Sequence, residues 1–167
     1  MKNYKEWYSQ ITTKLTDNPP LLFLLRSFNR LMTIVMLLVY LTLLVSTYLQ
    51  LGLGKQVEVY LLVPASGFVM LSLFRKKINH PRPYETWDIR PLLDKDSSGK
   101  SMPSRHVFSA TIISMACFHA WTLIGTILLI CSGVLALVRV LGGVHYPKDV
   151  LVGYACGLVC GGLFFLF

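Results

Sequence analysis

Three short polar stretches interrupt an otherwise apolar chain: RKKINHPRP at 75–83, PSRH at 103–106 and RVLGGVHYPKD at 139–149. Among their residues are the histidines His106 and His145, the carboxylate Asp149, and the cations Arg75, Lys76, Arg82, Arg105 and Arg139. These are the parts that transfer of a phosphoryl group needs: cations or backbone donors for the non-bridging oxygens, a nucleophile in line with the leaving group, and an acid to protonate that group. Arginine guanidiniums present planar, paired donors that match phosphate oxygens, and Lys76 adds a point charge. Pro103 suits the first turn of a helix, so the amides near Ser104, Arg105 and His106 are expected to face outward at a positive helix end, with the Ser104 hydroxyl as a further donor. Pro147 repeats the device just after His145. Asp149 follows His145 by four residues, close enough for its carboxylate to accept a hydrogen bond from one ring nitrogen and leave the other nucleophilic. In this reading His145 attacks and His106 is the acid.

The rest of the sequence must hold these stretches at one place. Tyr4, Trp7, Tyr8, Ile11 and Leu15 recur at helical spacing opposite Lys5, Glu6, Gln10, Thr13 and Lys14, which predicts an amphipathic helix lying at the membrane interface over 1–20. Asp17, Asn18, Pro19 and Pro20 end it. Residues 31–50 form an apolar run long enough to cross about 30 Å of hydrocarbon, and a second span runs from Val57 to Phe74 after a short turn. From Val107 to Leu141 a single helix would reach roughly 50 Å at 1.5 Å per residue, so the chain is expected to turn once, near His119 to Thr122. The last span is Val150 to Phe167, where Gly153, Gly157 and Gly161 fall four apart and invite close helix packing. The expectation is an all-α polytopic membrane helix bundle with about five transmembrane helices plus the interfacial helix. It forms one domain over 1–167, with a bundle over 31–167 and an active-site loop over 75–106, and all three polar stretches lie on one side.

Composition bounds the class. Of 167 residues, 54% are hydrophobic and only 14% charged, and the mean hydropathy is +0.57, values that point to an integral membrane protein and away from a soluble core. The net charge of +8 is concentrated in the N-terminal third and between Arg75 and Arg105, which suits anionic headgroups or the positive-inside bias; no nucleic-acid partner is expected. Cys117, Cys131, Cys156 and Cys160 all lie in apolar runs without paired spacing, so they read as packing residues. The start lacks a short apolar core with a cleavage site, so no signal removal is expected. Lys2, Lys5, Lys14, Arg26 and Arg30 precede the first span, which places the N-terminus in the cytoplasm by the charge rule.

The three stretches resemble the signature of the type 2 phosphatidic acid phosphatase superfamily. That signature is a lysine, six residues and Arg-Pro; then Pro-Ser-Gly-His; then Ser-Arg, five residues, His, three residues and Asp. Arg82-Pro83, Pro103-Ser104-Arg105-His106, and Arg139, His145 and Asp149 match it in order and spacing. Three positions depart: Arg75, with Lys76 beside it, stands at the first lysine, Arg105 at the glycine and Val138 at the serine. The resemblance implies a membrane-bound lipid phosphatase of phosphatidylglycerophosphatase B-like type, multi-pass in a bacterial plasma membrane, working through a phosphohistidine on His145. Arg75 or Lys76, Arg82, Ser104, Arg105 and Arg139 would bind phosphate, and no metal or other cofactor would be needed. A lipid phosphate and the bilayer are the expected partners. Phosphatidylglycerol phosphate, phosphatidic acid and undecaprenyl pyrophosphate all present a terminal phosphate on a greasy tail. Two alternatives stand beside this reading: a lipid phosphotransferase on the same scaffold, and a degenerate lipid-binding member, to which Arg105 and Val138 would point. Members of the family also work at the outer face, so both insertions, and the oligomeric state, stay open.

Overall fold

A computed structural model describes residues 3–95 and 98–166. Seven α-helices follow in order, with no strand among the described residues: α1 (Tyr4–Thr16), α2 (Pro19–Leu51), α3 (Lys55–Ile78), α4 (Pro83–Thr86), α5 (Arg105–Ala120), α6 (Thr122–Leu141) and α7 (Pro147–Gly162); a 3₁₀ turn (Leu163–Leu166) closes the described chain. By length and apolar composition, α2, α3, α6 and the segment Pro147–Leu166 suffice to cross a membrane. The expected fifth, α5, has 16 residues and takes the centre of the bundle, burying Val107, Phe108, Ala110, Thr111, Ile112, Ser114, Ala116 and Cys117. Large side chains left exposed, such as Leu38, Leu41 and Val45 on α2 and Leu123 and Ile130 on α6, form the outer apolar surface that such a bundle presents to lipid.

Local chemistry explains the boundaries. Asp17 ends α1, but Pro19 and Pro20 open α2 instead of closing what precedes them: Asn18 caps the new helix, its side chain accepting from the Leu21 amide at 3.4 Å, and proline at N1 gives up a donor that has no partner there. The first span is thus part of a 33-residue helix whose first turns carry Arg26 and Arg30 toward the polar end. Arg26 Nε donates to the Leu92 carbonyl at 2.9 Å and so fastens the long loop to that helix. Asn79, left-handed at φ 44°, ends α3. The predicted turn in the long apolar run falls at Trp121, between α5 and α6. Deep in the bundle these two helices share a hydrogen bond between the Ser114 and Ser132 hydroxyls at 3.0 Å. His119 belongs to the other end, 2.7 Å from the Tyr60 hydroxyl, away from the three polar stretches.

The spaced glycines of α7 meet α5. A Cβ on Gly153 would stand 2.7 Å from the Ser104 carbonyl oxygen, one on Gly157 2.6 Å from Thr111 Cβ, and one on Gly161 2.4 Å from Met115 Cβ. Only hydrogen at these positions lets the two backbones come this close. All four cysteines are free thiols packed among apolar neighbours.

The stripe of α1 divides between two environments. Tyr4, Tyr8 and Thr12 are buried against the chain itself, while Trp7 and Ile11 line an outer groove with Leu137, Val140 and Tyr154. The Tyr8 hydroxyl donates to the Leu141 carbonyl at 3.0 Å, and the Tyr4 ring packs edge-on against Tyr146 with centroids 5.0 Å apart. Lys5, 2.8 Å from Asp88, ties the exposed side of α1 to the loop. The interfacial helix therefore sits on the polar end of the bundle with its tyrosines turned inward.

Candidate active site

His145 hangs from a turn whose shape is set by Gly143. That residue has φ +74°, and a side chain there would also strike the Tyr8 hydroxyl at 2.6 Å. The preceding glycine's carbonyl accepts the amides of Leu92 and Leu93 at 2.9 and 3.2 Å, so the loop, α1 and the turn hold one another in place. Just beyond, Pro147 opens α7 as expected and Asp149 lies in its first turn, its carboxylate accepting from the Tyr146 amide at 3.0 Å.

His145 Nδ1 and Asp149 Oδ2 are 3.7 Å apart, too far for the direct hydrogen bond expected from their four-residue spacing. The gap is filled by Ser101. Its Oγ lies 2.5 Å from Asp149 Oδ2 and 3.3 Å from His145 Nδ1, and all three side chains are buried. Since the carboxylate can only accept, the hydroxyl donates to it and its oxygen is left to accept from Nδ1–H. This network assigns the ring proton to Nδ1 and leaves Nε2 with its lone pair. Burial pushes the His145 pKa down to about 4; the Arg139 and Arg82 charges push the same way, and Asp149 offsets them only in part. The imidazole is neutral at neutral pH.

Three guanidiniums are buried around this pair. Arg75, in the last turn of α3, donates to the carbonyls of Pro103 and Ser101, the latter at 3.4 Å. Arg82 reaches the Gly99 carbonyl at 3.2 Å and the Val144 carbonyl at 3.3 Å, spanning from the loop to the residue before His145. Glu85 holds that end of the loop, accepting from the Arg82 amide at 2.7 Å and from the Gly99 amide at 2.8 Å. Arg139, in the last turn of α6, donates to Asn29 Oδ1 of α2 at 3.3 Å. Lys76 lies outside this group, exposed on the flank of α3 next to Arg75.

The second polar stretch joins the site differently from the sequence expectation. Pro103 precedes the cap, Ser104 is the N-cap and α5 begins at Arg105. The Ser104 amide donates to the Asp149 carbonyl at 2.9 Å, which fixes the start of α5 to the first turn of α7. The outward donors at this helix end are therefore the amides from Arg105 onward. The Ser104 hydroxyl is fully buried and has no hydrogen-bond partner among the described residues. Arg105 and His106 are exposed and line a groove of about 430 Å³ whose other walls include Thr33 of α2 and Leu135 of α6. Thr33 and Leu135 each stand four residues, one helical turn, from Asn29 and Arg139, so the groove mouth abuts the Arg139–Asn29 pair.

Two members of the cluster were not singled out from the sequence. Ser101 precedes the second stretch by two residues, and no spacing rule connects it to a carboxylate 48 residues later. Asn29 sits between Arg26 and Arg30 in what read as a flank of the first span. The choice between Arg75 and Lys76 did have a signal: Tyr60, Val63, Pro64, Gly67, Leu71 and Arg75 form one helical stripe of buried residues, and Lys76 is off it.

The polar end of this bundle of apolar helices gathers three buried arginines, a neutral histidine and a carboxylate. The model of the PAP2 superfamily matches residues 56–167, and the chain belongs to that superfamily. It is 31% identical over 102 residues to undecaprenyl-diphosphatase BcrC of Bacillus subtilis (strain 168), an overlap of 61% of this chain and 52% of that protein, so the match spans about half of the relative. Two solved structures share the fold at a TM-score of 0.76. One is Aquifex aeolicus LpxE, 24% identical, with 97% of this chain and 94% of that one covered. The other is the transmembrane PAP2 type phosphatidylglycerolphosphate phosphatase of Bacillus subtilis, 20% identical, with 100% and 87% covered. With its apolar spans and bacterial relatives, the chain is a multi-pass bacterial membrane protein.

Proposed function

We propose that the chain is a lipid phosphate phosphatase, its residues 1–167 working as one domain, that removes a terminal phosphate from a phospholipid or an isoprenyl diphosphate. The observation that carries this reading is the buried relay from His145 through Ser101 to Asp149, set against Arg82 and Arg139. His145 Nε2 attacks phosphorus and the bond to the leaving oxygen breaks, giving a phosphohistidine. His106 gives its proton to the leaving oxygen. In the second half water attacks phosphorus, His106 takes a proton from that water, the N–P bond breaks, and inorganic phosphate leaves. As phosphorus is transferred the imidazole gains positive charge, which the relay to Asp149 stabilises. Arg75, Arg82, Arg139, the Ser104 hydroxyl and the first amides of α5 hold the non-bridging oxygens, and these charges do the neutralising that phosphoryl transfer requires.

The bacterial undecaprenyl-diphosphatase and phosphatidylglycerolphosphate phosphatase to which the chain is similar support substrates of this class. The test is phosphate release by the purified protein in detergent with EDTA present, offered phosphatidylglycerol phosphate, phosphatidic acid and undecaprenyl diphosphate in parallel. Turnover on at least one, lost in His145→Ala, is the expected result. A folded protein inert toward all three, or turnover that survives the substitution, would defeat the reading.

A further inference from the structure

Resting on that phosphatase reading, we infer that the Arg105 side chain is a specificity determinant: it holds the inner phosphate of a lipid diphosphate, the one that stays on the lipid. The buried cluster of Arg75, Arg82 and Arg139 is at the scissile phosphate. Arg105 is elsewhere. It is exposed at the mouth of the apolar groove, its guanidinium carbon 5.9 Å from the centroid of the Phe68 ring, which parks the charge over the groove wall. Among the described residues lining this groove it is the one guanidinium or ammonium group, next to His106; the remaining walls are apolar apart from hydroxyls such as Thr33 and Ser109.

The groove continues away from the site. A second cavity of about 310 Å³ shares Tyr40, Phe68, Ser109 and Ile113 with the first and extends to Leu61 and Pro64 of α3, well into the apolar part of the bundle. A lipid chain lying there has its head at Arg105 and His106. With the terminal phosphate against His145, a monophosphate places an ester oxygen and then carbon at the groove mouth, where a guanidinium finds no anion. A diphosphate places its second phosphate there. Arg105 can then bond the oxygens of that phosphate and stabilise the charge that builds on it as the leaving group departs.

The probes are farnesyl diphosphate and farnesyl monophosphate in detergent micelles, and the readout is the ratio of their kcat/KM values. Arg105→Gly, or Arg105→Gln should the glycine variant misfold, is expected to lower the diphosphate-to-monophosphate ratio about tenfold or more, and Arg105→Lys to restore part of it. An unchanged ratio overturns the inference. A binding arm separates this from failure of the phosphatase reading: in the His145→Gln protein, affinity for farnesyl methylenediphosphonate is compared with affinity for farnesyl phosphonate. An Arg105-dependent preference there supports the inference even where wild type releases no phosphate, a result that would remove only the phosphatase reading. No preference there removes the inference whatever the turnover.

Discussion

Ser101 Oγ and Asp149 Oδ2 lie 2.5 Å apart, and the same hydroxyl stands 3.3 Å from Nδ1 of His145. The carboxylate in the first turn of α7 therefore aims the histidine through a serine from the loop. Ser101 is itself anchored by its amide, which donates to the His80 carbonyl at 2.8 Å, and by Arg75 on its carbonyl oxygen.

Ser101 acts as a positioning residue in this arrangement. Ser101→Ala should lower kcat about tenfold to a hundredfold with KM nearly unchanged, since the loss falls on the aim and charge of the imidazole rather than on phosphate binding. Ser101→Thr, which keeps the hydroxyl, should recover much of it. A change confined to KM would show that Ser101 serves binding.

The proposed phosphohistidine can be tested by trapping. Brief exposure to a lipid labelled with ³²P at its terminal phosphate, followed by denaturation, should leave label on the protein that is stable in base and lost in acid, as a phosphohistidine is. His145→Gln should carry none, while His106→Gln, slowed about a hundredfold to ten-thousandfold in turnover, should still carry label. Label that persists in His145→Gln would assign the nucleophile elsewhere.

The buried neutral imidazole also predicts how stability follows pH. Unfolded, His145 takes up a proton near its ordinary pKa of 6.5; folded, it resists until about pH 4. Above 6.5 both states are neutral and the group contributes nothing to the pH dependence. Between 6.5 and 4 the unfolded state binds the extra proton, so stability falls as pH falls, by up to about 3 kcal/mol over the window. The Tm of wild type in detergent should drop more steeply across that range than that of His145→Gln. Parallel curves would show that the site admits the proton.

Helix packing offers a separate test. Gly157→Leu must displace Thr111, whose own Cβ is 2.6 Å from the place a Cβ at residue 157 would take, and should cost about 1–3 kcal/mol with a lower Tm. Gly133 on α6 meets nothing within 4 Å, so Gly133→Ala should be neutral or gain up to about 1 kcal/mol from helix propensity. Equal effects at the two positions would contradict the close α5–α7 contact.

One of the five expected spans, α5, is shorter than the others, its apolar run continuing into α6; the other four, the break before Thr122 and the glycine face of α7 were legible in the sequence because each follows from length, period or size. Pro19 and Pro20 were not, since the same dipeptide can close one helix or open the next, and Asn18 decides it here through a cap that depends on backbone shape. The three motif arginines, His145 and Asp149 were legible from spacing and do meet. Ser101 and Asn29 were not: their partners lie far along the chain, and only the fold brings a loop hydroxyl to α7 or a side chain of α2 to the end of α6. The tyrosine stripe of α1 was legible as a stripe, but its amphipathic pattern is the same whether the covering surface is headgroups or the protein's own loop.

The packing of Tyr8 against Gly143 makes the first helix part of the floor under His145. A topology diagram would draw α1 as an appendage ahead of the first span, and a designer of a tag or a shortened chain would treat it as spare. In this molecule it is a wedge, its Tyr8 hydroxyl filling the space beside Gly143, two residues before His145, so trimming α1 would open the turn from which that histidine hangs.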